Sequence, residues 1–193
     1  QNVDNLSPRA NSRVFAAHGI IPPTVPPCII EMHGRLFDVQ CTNPACKSTQ
    51  FNTESPICEA LRGTEDLISD HHETPSLPEE SLPRCGKCNS LARPGVVWFG
   101  EGLKHSDTIS ALVKKADLAW LLGRPPLKSI PGLTGMVLIA WQVFPAAAYA
   151  YEVQFNGGMV AVFNIEETNG THDADFYFAG PCEETLPKAL GVV

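Results

Sequence analysis

"GGMVAVFNIE", residues 157 to 166, is the stretch that decides the fold. Two glycines end one element, and five apolar residues then run without a break from Met159 to Phe163. A half-exposed strand alternates apolar and polar positions. An unbroken apolar run of this length, with glycine ahead of it, reads as a strand buried on both faces. Residues 145–155 are Ala-rich, carry Pro145 in the first turn and stop just before Gly157 and Gly158, the pattern of a helix. Residues 118–122, "LAWLL", form a second short apolar strand ending at Gly123. Ahead of it, Ser106 and Asp107 can cap a helix in which Ile109, Leu112, Val113 and Ala116 recur at helical spacing. Residues 176–178 read as a third strand and 183–190 as a last helix. Helix and strand alternating over short connections predict an α/β fold, a parallel sheet with helices on both faces. In such sheets ligands bind beyond the carboxyl ends of the strands, here the residues after Gly123 and Phe163.

Composition narrows the function. The 193 residues are 44% hydrophobic, ordinary for a globular chain. A formal charge of −7, with no basic run longer than Lys114-Lys115, argues against a nucleic-acid surface and against polybasic attachment to a membrane. The most apolar stretch, residues 136–141, is too short to span a bilayer. Residues 69–83, rich in Pro, Glu, Ser and His, read as a solvated loop. Seven cysteines are an odd number and sparse, which favours metal ligands plus single thiols in a reducing compartment over a disulfide framework. Cys28 and Cys58 read as buried small apolar side chains.

Four of the cysteines form two knuckle-like pairs, Cys41 with Cys46 and Cys85 with Cys88. Four thiolates complete a tetrahedral zinc and leave no vacancy for water or substrate, so the expectation is one structural Zn ion. Gly86 suits the tight turn of the second knuckle. His33 stands eight residues ahead of Cys41, and a full set of sulfurs leaves it no coordination position.

Read in order, the chain carries Gln1-Asn2-Val3-Asp4, His33-Gly34, the two cysteine pairs, the run "VVWFGE" at 96–101, then Phe163-Asn164-Ile165-Glu166 and Gly180-Pro181-Cys182. This series resembles the sirtuins, the NAD-dependent protein-lysine deacylases. Ser55-Pro56-Ile57-Cys58 and "VVWFGE" look most like the class III branch, which favours acidic acyl groups such as succinyl and malonyl. The resemblance implies a Rossmann-like NAD-binding domain with a small zinc-binding domain inserted. The expected boundaries are 1–40 and 94–193 for the larger domain and 41–93 for the zinc module. It implies that Gln1, Asn2, Val3 and Asp4 line the nicotinamide-ribose pocket. His33 is implied as the general base for a ribose hydroxyl, a role an imidazole can fill near neutrality. Val97, Trp98, Phe99, Gly100 and Glu101 are implied to pair with the extended acyl-lysine substrate as an added strand. Asn164, Ile165 and Glu166 would hold the adenosine ribose, and Cys182 would meet adenine through its backbone. The products implied are free lysine, nicotinamide and O-acyl-ADP-ribose. The branch points to mitochondria, with cytoplasm and nucleus left open.

Two departures from the sirtuin pattern stand out. The Gly-rich phosphate loop and the cofactor segment after it are not among these residues, nor are the tyrosine and arginine that read an acyl carboxylate. Where the family has a Thr-Ser pair after Gly123, this chain has "RPPLKSIPGLTGMVLIAWQ", residues 124–142. Both lead to the expectation of a fragment with impaired turnover. The alternative is a catalytically inactive, zinc-stabilised peptide-binding module. A nucleic-acid-binding zinc ribbon is the weaker competitor, because the charge opposes it.

Overall fold

Cys41 closes one strand and Ala92 opens another, and the pairing of these two strands organises the first part of the chain. The computed structural model describes residues 1–21, 29–64, 76–122, 148–168 and 171–192. They gather into two units, Gln1–Lys104 and His105–Val193. Cys28, Gly123 and the anomalous stretch 124–142 lie outside the described residues, as do 69–75 of the expected solvated loop.

The first unit begins with helix α1, Leu6–His18, which the sequence reading did not anticipate. The Asp4 carboxylate accepts the Leu6 N–H at 3.0 Å and meets one of the donors a first helical turn leaves unpaired. At the other end Gly19 takes the left-handed conformation at φ 62°, and the Ile20 N–H returns to the Phe15 carbonyl at 2.9 Å. None of its residues is buried, so the helix lacks the apolar stripe that would have announced it.

Strands β1 (Gly34–Cys41), β2 (Thr49–Phe51) and β3 (Ala92–Val96) form an antiparallel sheet in the order β2-β1-β3. The β1–β3 ladder is regular from Cys41↔Ala92 to Val39↔Pro94, then shifts before resuming at Arg35↔Gly95. Pro94 is tolerated because β3 lies at an edge of this sheet. The irregular segment is pinned by Asp38, buried at 6% exposure, whose two oxygens take the Arg35 guanidinium at 2.8 and 3.0 Å. A Cβ on Gly95 would stand 2.6 Å from the Asp38 Cβ, so only glycine lets β3 pass here.

The second unit carries α2 (Ser106–Val113), β4 (Leu118–Leu122), α3 (Ala148–Phe155), β5 (Met159–Asn164), β6 (Phe176–Ala179) and α4 (Cys182–Ala189). Its sheet is parallel in the order β4-β5-β6, with Leu118↔Met159 and Ala161↔Phe176 in register. Every residue of β5 after Met159 is buried, as its unbroken apolar run demands. Ala150 of α3 packs on Val160 and Val162, with Ala119, Leu121 and Tyr177 around them. Phe163 stacks on Phe178 at 4.5 Å between ring centroids. The α/β expectation holds here, and the three parallel strands fall where the sequence placed them. Of the helix expected over 145–155, residues 145–147 lie outside the described residues. The last helix starts one residue earlier than expected, at Cys182, directly after Pro181.

Gly158 makes the turn into β5 possible, since a Cβ there would meet the Ala116 carbonyl at 2.6 Å and Val153 Cγ1 at 2.7 Å. The start of β5 is then fastened by Asp175, whose Oδ2 accepts the Val160 N–H at 2.7 Å and the Gln154 amide at 3.1 Å. The Val160 N–H, followed by Gln154, holds the Asp175 carboxyl below its usual range. A lowered folded value means that the stabilisation exists above the unfolded value, about 3.9, and disappears as pH falls through the folded one. In thermal melts, Asp175→Ala should lower Tm at pH 7, and its gap to the unmodified chain should close below about pH 4. A gap that stayed constant with pH would show that the ionised carboxylate is not what anchors β5.

Candidate active site and metal centre

The sulfurs of Cys41, Cys46, Cys85 and Cys88 all lie within 4.8 Å of one another. Cys41 Sγ stands 3.5 Å from Cys88 Sγ, and Cys46 Sγ stands 3.8 Å from Cys85 Sγ. A tetrahedron with Zn–S bonds of 2.3 Å has edges of about 3.8 Å, close to the two distances just given, so the cluster suits zinc. Each knuckle also aims an amide at sulfur, Asn43 N–H at Cys41 and Lys87 N–H at Cys85, both at 3.4 Å. Such N–H···S contacts orient thiolates for a metal. The thiols are unequal. The Ser90 hydroxyl and N–H bring Cys88 down to about 6, whereas burial above all pushes Cys41 up to about 12. A zinc held here would take all four as thiolates, and its charge would let a buried Cys41 ionise. The role of the ion is structural, because four sulfurs leave no open position.

His33 sits immediately before β1, and Cys41 ends it. Eight residues of extended chain put roughly 25 Å between them, which removes His33 from the metal by distance as well as by ligand count. Its surroundings are different. Nδ1 lies 3.2 Å from the Gln1 carbonyl oxygen. A carbonyl only accepts, so this bond holds the proton on Nδ1 and leaves the Nε2 lone pair free to take another. The His33 carbonyl accepts the Val97 N–H at 2.8 Å, and the Leu36 N–H donates to the Val3 carbonyl at 2.9 Å. The structure therefore brings Gln1, Val3, His33 and Val97 together, although they are spread over nearly one hundred positions. Gly34 permits the crossing, with φ 75° and a Cβ position that overlaps the Gly95 carbonyl oxygen.

Residues 97–101 leave β3 as a turn. Val97 is half-buried, Trp98 is 55% exposed and Phe99 is 95% exposed. Glu101 N–H closes the turn onto the Trp98 carbonyl at 3.0 Å. Arg93, which the sequence reading passed over, binds Glu101; its only signal was a basic residue eight positions ahead of an acidic one across an aromatic run.

In the second unit Asn164 ends β5 with its side chain buried, and its amide donates to the Glu166 carbonyl at 2.8 Å. The Asn164 carbonyl accepts the Gly180 N–H at 3.0 Å and the Tyr177 hydroxyl at 3.2 Å. That brings residues 164–166 beside Gly180, two residues ahead of Cys182 and the first turn of α4. Ile165 and Glu166 are exposed, while Cys182 is half-buried. This is the carboxyl end of a parallel sheet, the position at which such sheets take ligands.

The Sir2 family model matches residues 1–125. The chain belongs to the Sir2 family. It is 40% identical over 192 residues to an NAD-dependent protein deacylase of Daphnia pulex, covering 98% of this chain and 59% of that protein. It is 38% identical to the NAD-dependent protein deacylase sirtuin-5B, mitochondrial, of Xenopus laevis, covering 98% of this chain and 52% of that one. This Sir2 chain thus spans little more than half the length of these curated relatives. Among solved structures, a Sir2 homologue in complex with NAD superposes with a TM-score of 0.65 at 29% identity, covering the whole of this chain and 56% of that one. A mutant Sir2 homologue in complex with 2′-O-acetyl ADP ribose gives 0.64 at 30%, with 57% of that chain covered.

Two outcomes follow from the geometry. Cys41→Ser and Cys85→Ser should each lose the zinc, which atomic absorption would find at one ion per unmodified chain. With on the order of 10 kcal/mol of metal binding removed, hydrogen exchange should show β1–β3 amides unprotected and β5 amides retained. Gly34→Ala should cost at least 1–3 kcal/mol in chemical denaturation, because the carbonyl it strikes is backbone and the φ is left-handed.

Proposed function

We propose that this chain carries the general base, the ribose-binding turn and the peptide-binding edge of an NAD-dependent protein-lysine deacylase. The observation that carries the reading is His33, held by the Gln1 carbonyl through Nδ1 so that Nε2 is free as a base. The dinucleotide supplies the electrophilic ribose carbon and the nicotinamide leaving group. The residues of the chain act around it. His33 takes a proton from a ribose hydroxyl at Nε2. Gln1, whose carbonyl holds His33, and Asn2, Val3 and Asp4 beside it in the chain offer carboxamide, backbone and carboxylate partners to a nicotinamide ribose. Asn164 fixes the turn that presents Ile165 and Glu166, and the Glu166 carboxylate accepts from the hydroxyls of the adenosine ribose, as acids do in other dinucleotide folds. Cys182 opens helix α4 and would meet the adenine through its backbone. Val97 to Glu101 offer an extended acyl-lysine peptide the backbone groups their own turn leaves unpaired, since the N–H groups of Val97, Trp98 and Glu101 are already donated.

The donor set fits this ligand: an amide, a carboxylate and a helix start gather at one strand end in the second unit, and a base gathers with polar partners in the first. The solved homologues that hold NAD and 2′-O-acetyl ADP ribose support the same chemistry. The acyl group is acetyl or an acidic group such as succinyl or malonyl, in keeping with the sirtuin-5 relatives, and their mitochondrial names support that compartment. Turnover is impaired, because in the sequence residues 124–142 stand where the family has a Thr-Ser pair.

Isothermal titration with NAD should give saturable binding that Asn164→Ala weakens at least tenfold. Nicotinamide release from acetyl- and succinyl-lysine peptides should fall by about 10²–10⁴ in His33→Ala with NAD affinity retained. Peptide binding without any NAD binding would instead identify an inactive, zinc-stabilised peptide-binding module.

A further inference from the structure

One arginine organises the turn that leaves β3. Arg93 Nη2 reaches both oxygens of Glu101, at 2.8 and 3.0 Å. Its guanidinium carbon lies 4.2 Å from the centroid of the Trp98 indole, within stacking distance. Glu101 Oε2 also accepts the Trp98 N–H at 3.0 Å, and the Glu101 N–H closes onto the Trp98 carbonyl at 3.0 Å. The Trp98 N–H first, and Arg93 after it, hold the Glu101 carboxyl below its usual range, so the lock is charged at neutral pH. The Arg93 side chain is only 18% exposed, unlike an ordinary surface partner. Ring and carboxylate of one turn thus close on a single guanidinium, and the same carboxylate takes the turn's Trp98 N–H.

We propose that Arg93 is the positioning residue for the acyl-lysine peptide: it locks Trp98 and Glu101 so that residues 97–101 stand preformed as the edge to which the substrate backbone adds. This rests on the reading of those residues as the substrate segment. An edge that is already ordered spares the complex the entropy of ordering it. Glu101 serves the substrate through the shape of the turn, since its carboxylate is occupied by Arg93 and the Trp98 amide. Phe99 and the outer face of Trp98 remain open to the residues flanking the acyl-lysine.

The test is a double-mutant cycle on affinity, read by fluorescence polarisation with fluorescein-labelled acetyl- and succinyl-lysine peptides on the zinc-loaded chain. Arg93→Ala and Glu101→Gln should each weaken binding on the order of tenfold, and the double variant should bind no more weakly than Arg93→Ala alone. Zinc content and NAD affinity should not change, which separates positioning of the peptide from a general loss of structure. Peptide affinity within twofold of the unmodified chain in Arg93→Ala, or effects that multiply in the double variant, would overturn the proposal. The underlying reading is tested separately with peptides N-methylated on the backbone beside the acyl-lysine. If methylation weakens binding while Arg93→Ala does not, the proposal alone fails. If methylation costs nothing, or the unmodified chain does not bind the peptides, the substrate-segment reading fails and takes the proposal with it.

Discussion

The convergence of four thiols is the constraint on which the first unit depends. Cys41 and Cys46 lie on one side of a long excursion in sequence, and Cys85 and Cys88 lie on the other. Bringing their sulfurs within 4.8 Å forces the chain after Cys88 to return along the strand that ended at Cys41. The β1–β3 ladder is the consequence, and its register is set from the metal end, Cys41 facing Ala92. The far end of the same ladder is where His33 and Val97 emerge side by side. A structural ion at the cysteines would thus stand about 25 Å of strand away from His33, with no ligand shared between them.

The second unit solves a different problem with the same economy of residues. Its central strand is apolar on both faces, and its two neighbours run parallel to it, so all three strands deliver their carboxyl ends to one edge. The polar residues that follow β5 have nowhere to go but that edge. Asn164 is buried there and spends its amide on the next turn. Exposed Glu166 is what that turn presents.

Carboxylates recur as fasteners for backbone. Asp4 takes the Leu6 amide, Glu101 the Trp98 amide and Asp175 the Val160 amide, while Asp38 takes the Arg35 guanidinium. The first three hold places where the chain turns into or out of a regular element, and Asp38 pins the register shift inside the β1–β3 ladder. These bonds leave the formal charge of −7 in place, because a carboxylate that accepts an amide N–H stays ionised. The deficit of clustered cations that argues against nucleic acid is unaffected by this.

Local pattern was enough for the second unit. Unbroken apolar runs bounded by glycine marked β4 and β5, because a strand buried on two faces has no polar position to give. Cysteine spacing marked the metal set, because four thiolates are a complete shell by themselves. The family order of short motifs singled out His33. Helix α1 stayed hidden, since its apolar residues are exposed and a helix without a buried stripe leaves no period to detect. The antiparallel ladder was equally silent. Its short strands, with Pro94 and Gly95 inside one of them, carry no alternation, and β3 pairs with β1 across the long excursion from Cys41 to Ala92. Arg93 and Asp175 were invisible for the same reason, each being one charged residue among many until folding put an amide or an indole beside it. The sequence by itself determined which groups are available: four thiolates, one imidazole, an apolar central strand. Only the tertiary structure decided which carbonyl fixes the imidazole's proton and which guanidinium holds the turn at residues 97–101, because hydrogen-bond partners are set by proximity in space.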